Sequence, residues 1–297
     1  MYQQTTIKHF YIMANVYQMV TDSIIEQMEK GIIPWQKPWV GGTGVAISYT
    51  SRKAYSCLNQ FLLGKPGEWL TWKQVYDRGG KVKKGAKAGF VVFYQWVDKK
   101  EENPETHEIE DHSFPILKWY KVFHIDDTEG IDSKIEKVES NPEIKPVDEA
   151  EAIIKGYLER EPNLKFFNEN ESSSAYYSPS KDEVVVPNIR QFAIVEEYYS
   201  TAFHELTHST MHEKRCDRKN ENKMAAFGSE DYSREELVAE IGSAMLCNKA
   251  GLDSEKAFKN SVGYIQSWLK ALKNDSKMIV WAAGKAEKAA KYILNEA

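Results

Sequence analysis

Apolar positions along the chain follow two periods. Val16, Met19, Val20, Ile24 and Met28 keep the three-and-four spacing of an amphipathic helix, which Gly31 stops. Before them, Met1 to Ala14 has no clear period and reads as a loose arm, with Met13 a candidate start. Tyr55 to Leu63, closed by Gly64, reads as a short helix, as does Glu68 to Asp77 with Trp69, Trp72 and Tyr76. Aromatic and β-branched residues then mark a strand over Gly89 to Val97 and its partner over Pro115 to Ile125. Between them, Asp98 to Ser113 holds seven acidic and two basic residues and reads as a long mobile hairpin loop. Asp126 to Val147 has no aromatic residue, carries Pro142 and Pro146, and reads as a linker that leaves the halves free to move independently.

The second half opens with a helix over Ala150 to Arg160. Short strands follow at Leu164 to Asn168, Ala175 to Ser178 and Asp182 to Pro187. Helical runs then cover Glu196 to His212, Tyr232 to Gly242, Ser254 to Lys273 and Ser276 to Leu294. Asp253-Ser254 and Asp275-Ser276 supply the caps of the last two. The expected fold class is α+β in two domains, residues 1–125 and 148–297, joined by a linker over 126–147.

The chemistry concentrates in His204-Glu205-Leu206-Thr207-His208, within a run free of Gly and Pro. Positions four apart share a helix face, so His204 and His208 offer two imidazoles to one point, where a Zn²⁺ or another divalent ion can bind. Glu205 lies off that line, placed to take a proton from water at the metal. The rival reading is a helix carrying two satisfied histidines. A third histidine does not follow at the spacing some zinc peptidases use, because position 211 is Met and 214 is Lys. A catalytic site needs one more protein ligand, and the run over Tyr232 to Gly242 offers Glu236 and Glu240, four apart. By spacing alone either is the ligand, and the other orients a histidine. Glu235 faces another way and reads as solvated. The strand Asp182 to Val186 is a candidate rim for an extended peptide.

Composition narrows the classes. With 297 residues, 42% hydrophobic and 28% charged, this is an ordinary globular chain. Cys57, Cys216 and Cys247 are odd in number and widely spaced, which implies no disulfide framework and suits a reducing cytoplasm. No apolar run is long enough for a membrane span, and the start lacks the pattern of a secretory signal. A net charge of −5 means that any nucleic-acid site is local. From Thr71 to Phe90, Lys73, Arg78, Lys81, Lys83, Lys84 and Lys87 stand against Asp77 alone. A charge run is usually a solvated face, but basic residues beside aromatics also fit single-stranded nucleic acid. Arg52 and Lys53, just before the first short helix, extend the candidate set. So do Trp35 and Trp39, on a Pro/Gly-rich loop, as either a packing clamp or a platform for bases.

Two resemblances sharpen this. His-Glu-Leu-Thr-His with the later Glu-x-x-x-Glu resembles the gluzincin metallopeptidases. That resemblance implies Glu236 as the third ligand and Glu240 as the support of a histidine. The front half resembles the N-terminal domain of ArdC-type antirestriction proteins. The carrying pieces are Pro34-Trp35-x-x-Pro38-Trp39, Ser56-Cys57-Leu58-Asn59, Trp69-Leu70-Thr71-Trp72-Lys73-Gln74 and Gly80-Lys81-Val82-Lys83-Lys84-Gly85. The back half resembles the same family from about Ala150 onward, so the likeness covers nearly all of residues 16–297. It implies a front domain that binds single-stranded DNA, and often duplex as well, and a zincin domain behind it. The functions to separate are an antirestriction coat for incoming DNA of a mobile element, a DNA-localised peptidase acting on a host protein, and a DNA-binding module with an idle metal site.

Overall fold

The computed structural model describes residues 2–36, 45–102, 109–135, 146–168, 174–218, 230–252 and 262–296. A long helix, α1 (Tyr2–Glu29), takes in the segment expected to be a loose arm. It ends before Gly31, whose φ of +80° is a left-handed turn that favours glycine. A 3-10 turn (Pro34–Gln36), strand β1 (Ala46–Ser48) and helix α2 (Cys57–Leu63) follow. The expected helix over Glu68 to Asp77 divides. Gly67–Leu70 is strand β2, and only Trp72–Tyr76 is helical, as α3. Thr71 caps α3 in a reciprocal box with Gln74, which sets the boundary that apolar spacing did not show.

β3 (Lys81–Val82) lies within the basic stretch. β4 (Gly89–Glu102) and β5 (Ile109–His124) pair in one unbroken antiparallel register from Gly89–Val122 to Glu102–Ile109. Most of the supposed acidic loop is therefore ribbon, and only 103–108 lie outside the described residues. The expected linker is also partly structured. Its start returns as β6 (Thr128–Glu129) to pair with β3.

The front sheet runs β1-β2-β5-β4. Both of its edges end on neighbouring residues of α2. The Gln60 side-chain amide accepts from Ala46 N–H and donates to Ala46 C=O, at 2.7 and 2.9 Å. Asn59 does the same for Val92 on the opposite edge, at 2.8 Å each way. Backbone groups that an edge strand would leave bare are thus satisfied by two buried side chains.

In the back half, α4 (Pro146–Arg160) precedes β7 (Lys165–Phe167), β8 (Tyr176–Ser178) and β9 (Glu183–Val185). The sheet order is β7-β9-β8, so β9 is central and paired on both sides. The strand expected to form a peptide rim is therefore not an edge. Four helices complete the chain: α5 (Val195–Ser209), α6 (Glu230–Lys249), α7 (Val262–Asn274) and α8 (Met278–Leu294). The start of the helix expected from Ser254 lies outside the described residues. Arg215, whose side chain is 2% exposed, ties this half together through Glu161, Asp182 and the carbonyl of Ser209.

Among the described residues the halves share a core, where the sequence suggested independent bodies. One core holds Val20, Ile24 and Met28 of α1 and Phe61 of α2 together with Leu237 and Ile241 of α6, Leu272 of α7 and Ile279 of α8. Trp35 sits inside it at 1% exposure, between the rings of Phe61 and Trp268 at 6.3 and 6.4 Å. This corrects its candidacy as a base-stacking residue, because the clamp reading wins by complete burial. Trp39 lies outside the described residues. Polar contacts cross the same seam. Thr21 donates to the carbonyl of Ser276 at 2.8 Å, and Glu287 of α8 accepts from the N–H of Cys57 at the start of α2, at 2.9 Å.

Trp35→Ala should therefore cost about 3–5 kcal/mol in denaturant unfolding while leaving the folded protein's affinity for an oligonucleotide unchanged. A second prediction concerns pH. Burial pushes the Asp182 carboxyl up, but Arg215 outweighs it and holds the group below the usual carboxylate range. Such a group stabilises the fold above its unfolded pKa of about 3.9, and the contribution fades as pH falls through the lowered folded value. Asp182→Asn should lose about 1.5–3 kcal/mol at neutral pH, with the gap to wild type narrowing in acid melts.

Candidate metal centre and nucleic-acid face

α5 buries Tyr198, Tyr199, Ala202, Phe203 and Leu206 in the back core, and this fixes which face remains for His204 and His208. Their Nε2 atoms face each other at 3.1 Å. From α6, Glu236 brings Oε2 to 3.4 Å from His204 Nε2 and Oε1 to 3.4 Å from His208 Nε2. Bonds of about 2.0–2.1 Å at tetrahedral angles set neighbouring ligand atoms roughly 3.3 Å apart. Adjacent positions of a six-coordinate ion at similar bond lengths stand about 3 Å apart. The donor set therefore fits a divalent cation, and its spacing does not choose between zinc and another ion.

The approach of α6 rests on Gly242. A Cβ there would lie 2.5 Å from Cγ2 of Thr207, the buried α5 residue just before His208. Without a side chain at 242 the two helices close up, and Glu236 reaches the imidazoles. Ser243 adds a hydrogen bond to the carbonyl of Ser200 at 2.7 Å.

The far nitrogen of His208 meets Glu235, not Glu240. Nδ1 lies 3.4 Å from Glu235 Oε1. Glu235 is 6% exposed, which corrects its reading as a solvated residue. Arg218, only 1% exposed, grips its carboxylate with Nε at 3.1 Å and Nη2 at 2.7 Å. The same guanidinium donates to Thr210 Oγ1 and to the carbonyl of Thr207, pinning the end of α5. Nothing in the polar sequence after Arg215 marked Arg218 as buried. Glu240 lies one turn beyond Glu236 on α6. Glu205 is 8% exposed, and its charge acts on His208.

The carboxylates around the pair favour positive charge on His208. Burial opposes charge on His208, yet Glu235 and Glu236 prevail and push its pKa up to about 10. Burial likewise pushes Glu236 up, and the two imidazoles outweigh it, holding the carboxyl far below the usual range. For Glu235 the same contest between burial and the His208–Arg218 pair ends with the carboxyl lowered.

On the front half, Tyr49, Leu70 and Val75 are buried together, with Val82, Ile125 and Ile131 against them. This small core joins the turn after β1, α3, β3 and the start of the supposed linker. The basic residues sit on its outside. Lys53, Lys73, Arg78, Lys81, Lys83, Lys84 and Lys87 are exposed. Arg78 and Lys134 lie over the ring of Tyr49 at 5.4 and 4.5 Å. Trp72 and Tyr76, 59% and 67% exposed, stack on each other at 5.4 Å and 9°. Arg52 is exposed as well, but its guanidinium is engaged by the buried carboxylate of Glu68. Lys83 donates to the carbonyl of Asp126 at 2.7 Å, and Lys81 is paired in register with Glu129. These acidic neighbours, brought back by β6, temper the charge excess read from the sequence.

Comparison with known proteins settles the family. Residues 14–123 match the N-terminal domain of anti-restriction factor ArdC, and residues 163–285 match a zincin-like metallopeptidase domain. The chain is 32% identical to the crystal structure of antirestriction ArdC from plasmid R388, with a TM-score of 0.70 over 94% of this chain and 97% of that one. This chain belongs to the ArdC family. The R388 protein has been solved both metal-free and with Mn(II) bound. An uncharacterized protein of Sinorhizobium fredii, y4eC, is 30% identical over 91% of its length. Two Escherichia coli proteins called DNA primase TraC are also 30% identical, but the chain spans only 27% and 20% of their lengths. Among the described residues no helix is long and apolar enough to cross a membrane.

Glu235→Ala should weaken divalent-metal binding about 10–100-fold by calorimetric titration. Arg218→Ala should destabilise the fold by about 3–5 kcal/mol, because it strands a buried carboxylate. Gly242→Ala gains about 1 kcal/mol of helix propensity, but the clash with Thr207 should reverse the sign and lower both the melting temperature and metal affinity.

Proposed function

We propose that this chain is an antirestriction protein of a mobile element that coats incoming single-stranded DNA with its front half. Its back half holds a divalent ion, zinc first, between His204, His208 and Glu236. The observation that carries the reading is the likeness to R388 ArdC across both halves. The exposed Trp72–Tyr76 stack beside Lys73, Arg78 and the lysines of 81–87 supports the DNA part. A coat that binds phosphates without reading bases competes with nucleases for the same strand, and duplex ends offer the same phosphates.

A second reading, a peptidase localised on DNA and acting on a host protein, is favoured by the retained Glu205. When bound, a divalent ion supplies Lewis acidity toward a carbonyl and a water. The chain's part is to hold the donor atoms at their spacing through Arg218 and Glu235, and to accept the water's proton on Glu205. Glu240, one turn beyond Glu236, keeps in this reading the role of supporting a ligating histidine. The edge strand β8, against α5, takes over the rim role first given to β9, and an extended peptide would pair with it.

Glu205→Ala should keep metal and DNA binding and abolish proteolysis of any substrate. If protection from restriction persists undiminished in that variant, peptide hydrolysis is not how the protein protects. Replacing Lys81, Lys83 and Lys84 with Ala should weaken single-strand binding and flatten its salt dependence, by up to about one unit of slope for each phosphate no longer neutralised. A titration at two salt concentrations with an unchanged slope would remove these lysines from the interface.

A further inference from the structure

Among the described residues β4 is an edge of the front sheet, paired with β5. Directly paired residues share a face, so Val91 with Tyr120 and Phe93 with Lys118 lie on one side, and Val92 with Trp119 on the other. At the inner end of the first face, Val91 and Val122 are buried with Ala46, Leu63 and Trp69. Next along the same face Phe93, Tyr120 and Lys118 reach solvent, before Ile116 is buried again one pair further out. Phe93 is 40% and Tyr120 38% exposed, with ring centroids 5.5 Å apart. Lys118 is exposed beside them. On the reverse face Trp119 is 44% exposed, edge-on to Phe90 at 6.4 Å, and Lys121 is exposed. The run Lys118-Trp119-Tyr120-Lys121 thus gives each face of one strand a bare ring and a cation.

Paired large rings left in water on an edge ribbon mark a candidate binding surface. Its chemistry follows from the neighbours. Lysines beside rings fit a polyanion that has flat apolar faces, and this describes single-stranded DNA. Duplex DNA hides its base faces in its own stack. The outer end of the ribbon sets a limit, since Asp98, Glu101, Glu102, Glu110 and Asp111 there outnumber Lys99 and Lys100. The inner end follows directly on the basic stretch, and at most about 20 Å of extended chain separates Lys87 from Phe93.

The geometry points to the Phe93–Tyr120–Lys118 face as a base-stacking subsite for single-stranded DNA, next to the basic stretch in the chain. It rests on the reading of the front half as a single-strand binder and adds residues which that reading did not contain.

The test uses the full chain and a fluorescent deoxythymidine oligomer of about 16 nucleotides. The Phe93→Ala/Tyr120→Ala double variant should bind roughly 10-fold or more weakly with an unchanged salt slope, because stacking releases no counterions. Lys118→Ala should instead make the slope shallower by about one. Independently of any variant, irradiating the wild type with a 5-bromodeoxyuridine oligomer should crosslink the peptide holding Phe93 or the one holding Tyr120. A double variant that binds like wild type, with crosslinks elsewhere, would overturn the subsite and leave single-strand binding standing. A wild type that fails to bind the oligomer would overturn both. Should the wild type self-associate, and the double variant be monomeric with unaltered DNA affinity, the face joins copies of the chain and the subsite is wrong.

Discussion

The metal centre depends on how closely two helices can approach. The spacing of His204 and His208 is set by α5 alone, as for any pair four apart. The third donor comes from another helix, and its reach depends on the side chain missing at Gly242, where Thr207 fills the space. Around this contact the protein has gathered carboxylates, Glu235 and Glu236 first, and they push His208 toward its protonated form. A proton and a divalent cation compete for the same place, and binding one expels the other. Arg218 keeps this negative charge from becoming a liability. It balances Glu235 inside the protein and leaves Glu236 for the ion.

The helix that carries Glu236 also explains how the described parts of the two halves come to share a core. α6 presents Leu237, Val238 and Ile241 to the core shared with the front half, and Leu246 and Cys247 to the core of the back half. A helix buried nearly all round shows little amphipathic period, so its central place was hidden in the sequence. The flanks of the linker were misread for a related reason. Polar, proline-bearing sequence looks like tether, but Ser133 donates to the buried Glu68 carboxylate, and Ile131 packs under the basic face.

What could be read from the sequence was local. The histidine pair, the helix under it, the order of short strands and the basic stretch all follow from spacing within about ten residues. The misreadings involve contacts that are distant in sequence. Trp35 looked as available as any loop tryptophan until Phe61 and Trp268 closed over it. Glu235 looked solvated because Arg218, from a polar turn, gave no sign of being buried. β9 looked like a rim because its own alternation cannot say how many neighbours it has. The acidic hairpin looked like loop because its run of charges shows none of the apolar alternation by which a strand is recognised.

The core shared by the two halves bears on how such a protein can be inherited. Severed between 135 and 146, neither piece would keep its oily surfaces covered: α1 and Trp35 would lose α6, α7 and α8, and those helices would lose them in return. Recombination at that point would yield fragments prone to stick to each other or to anything else apolar. The chain is therefore expected to pass between genomes whole. Its match to the much longer TraC proteins agrees, since it covers 94% of this chain and not one half alone.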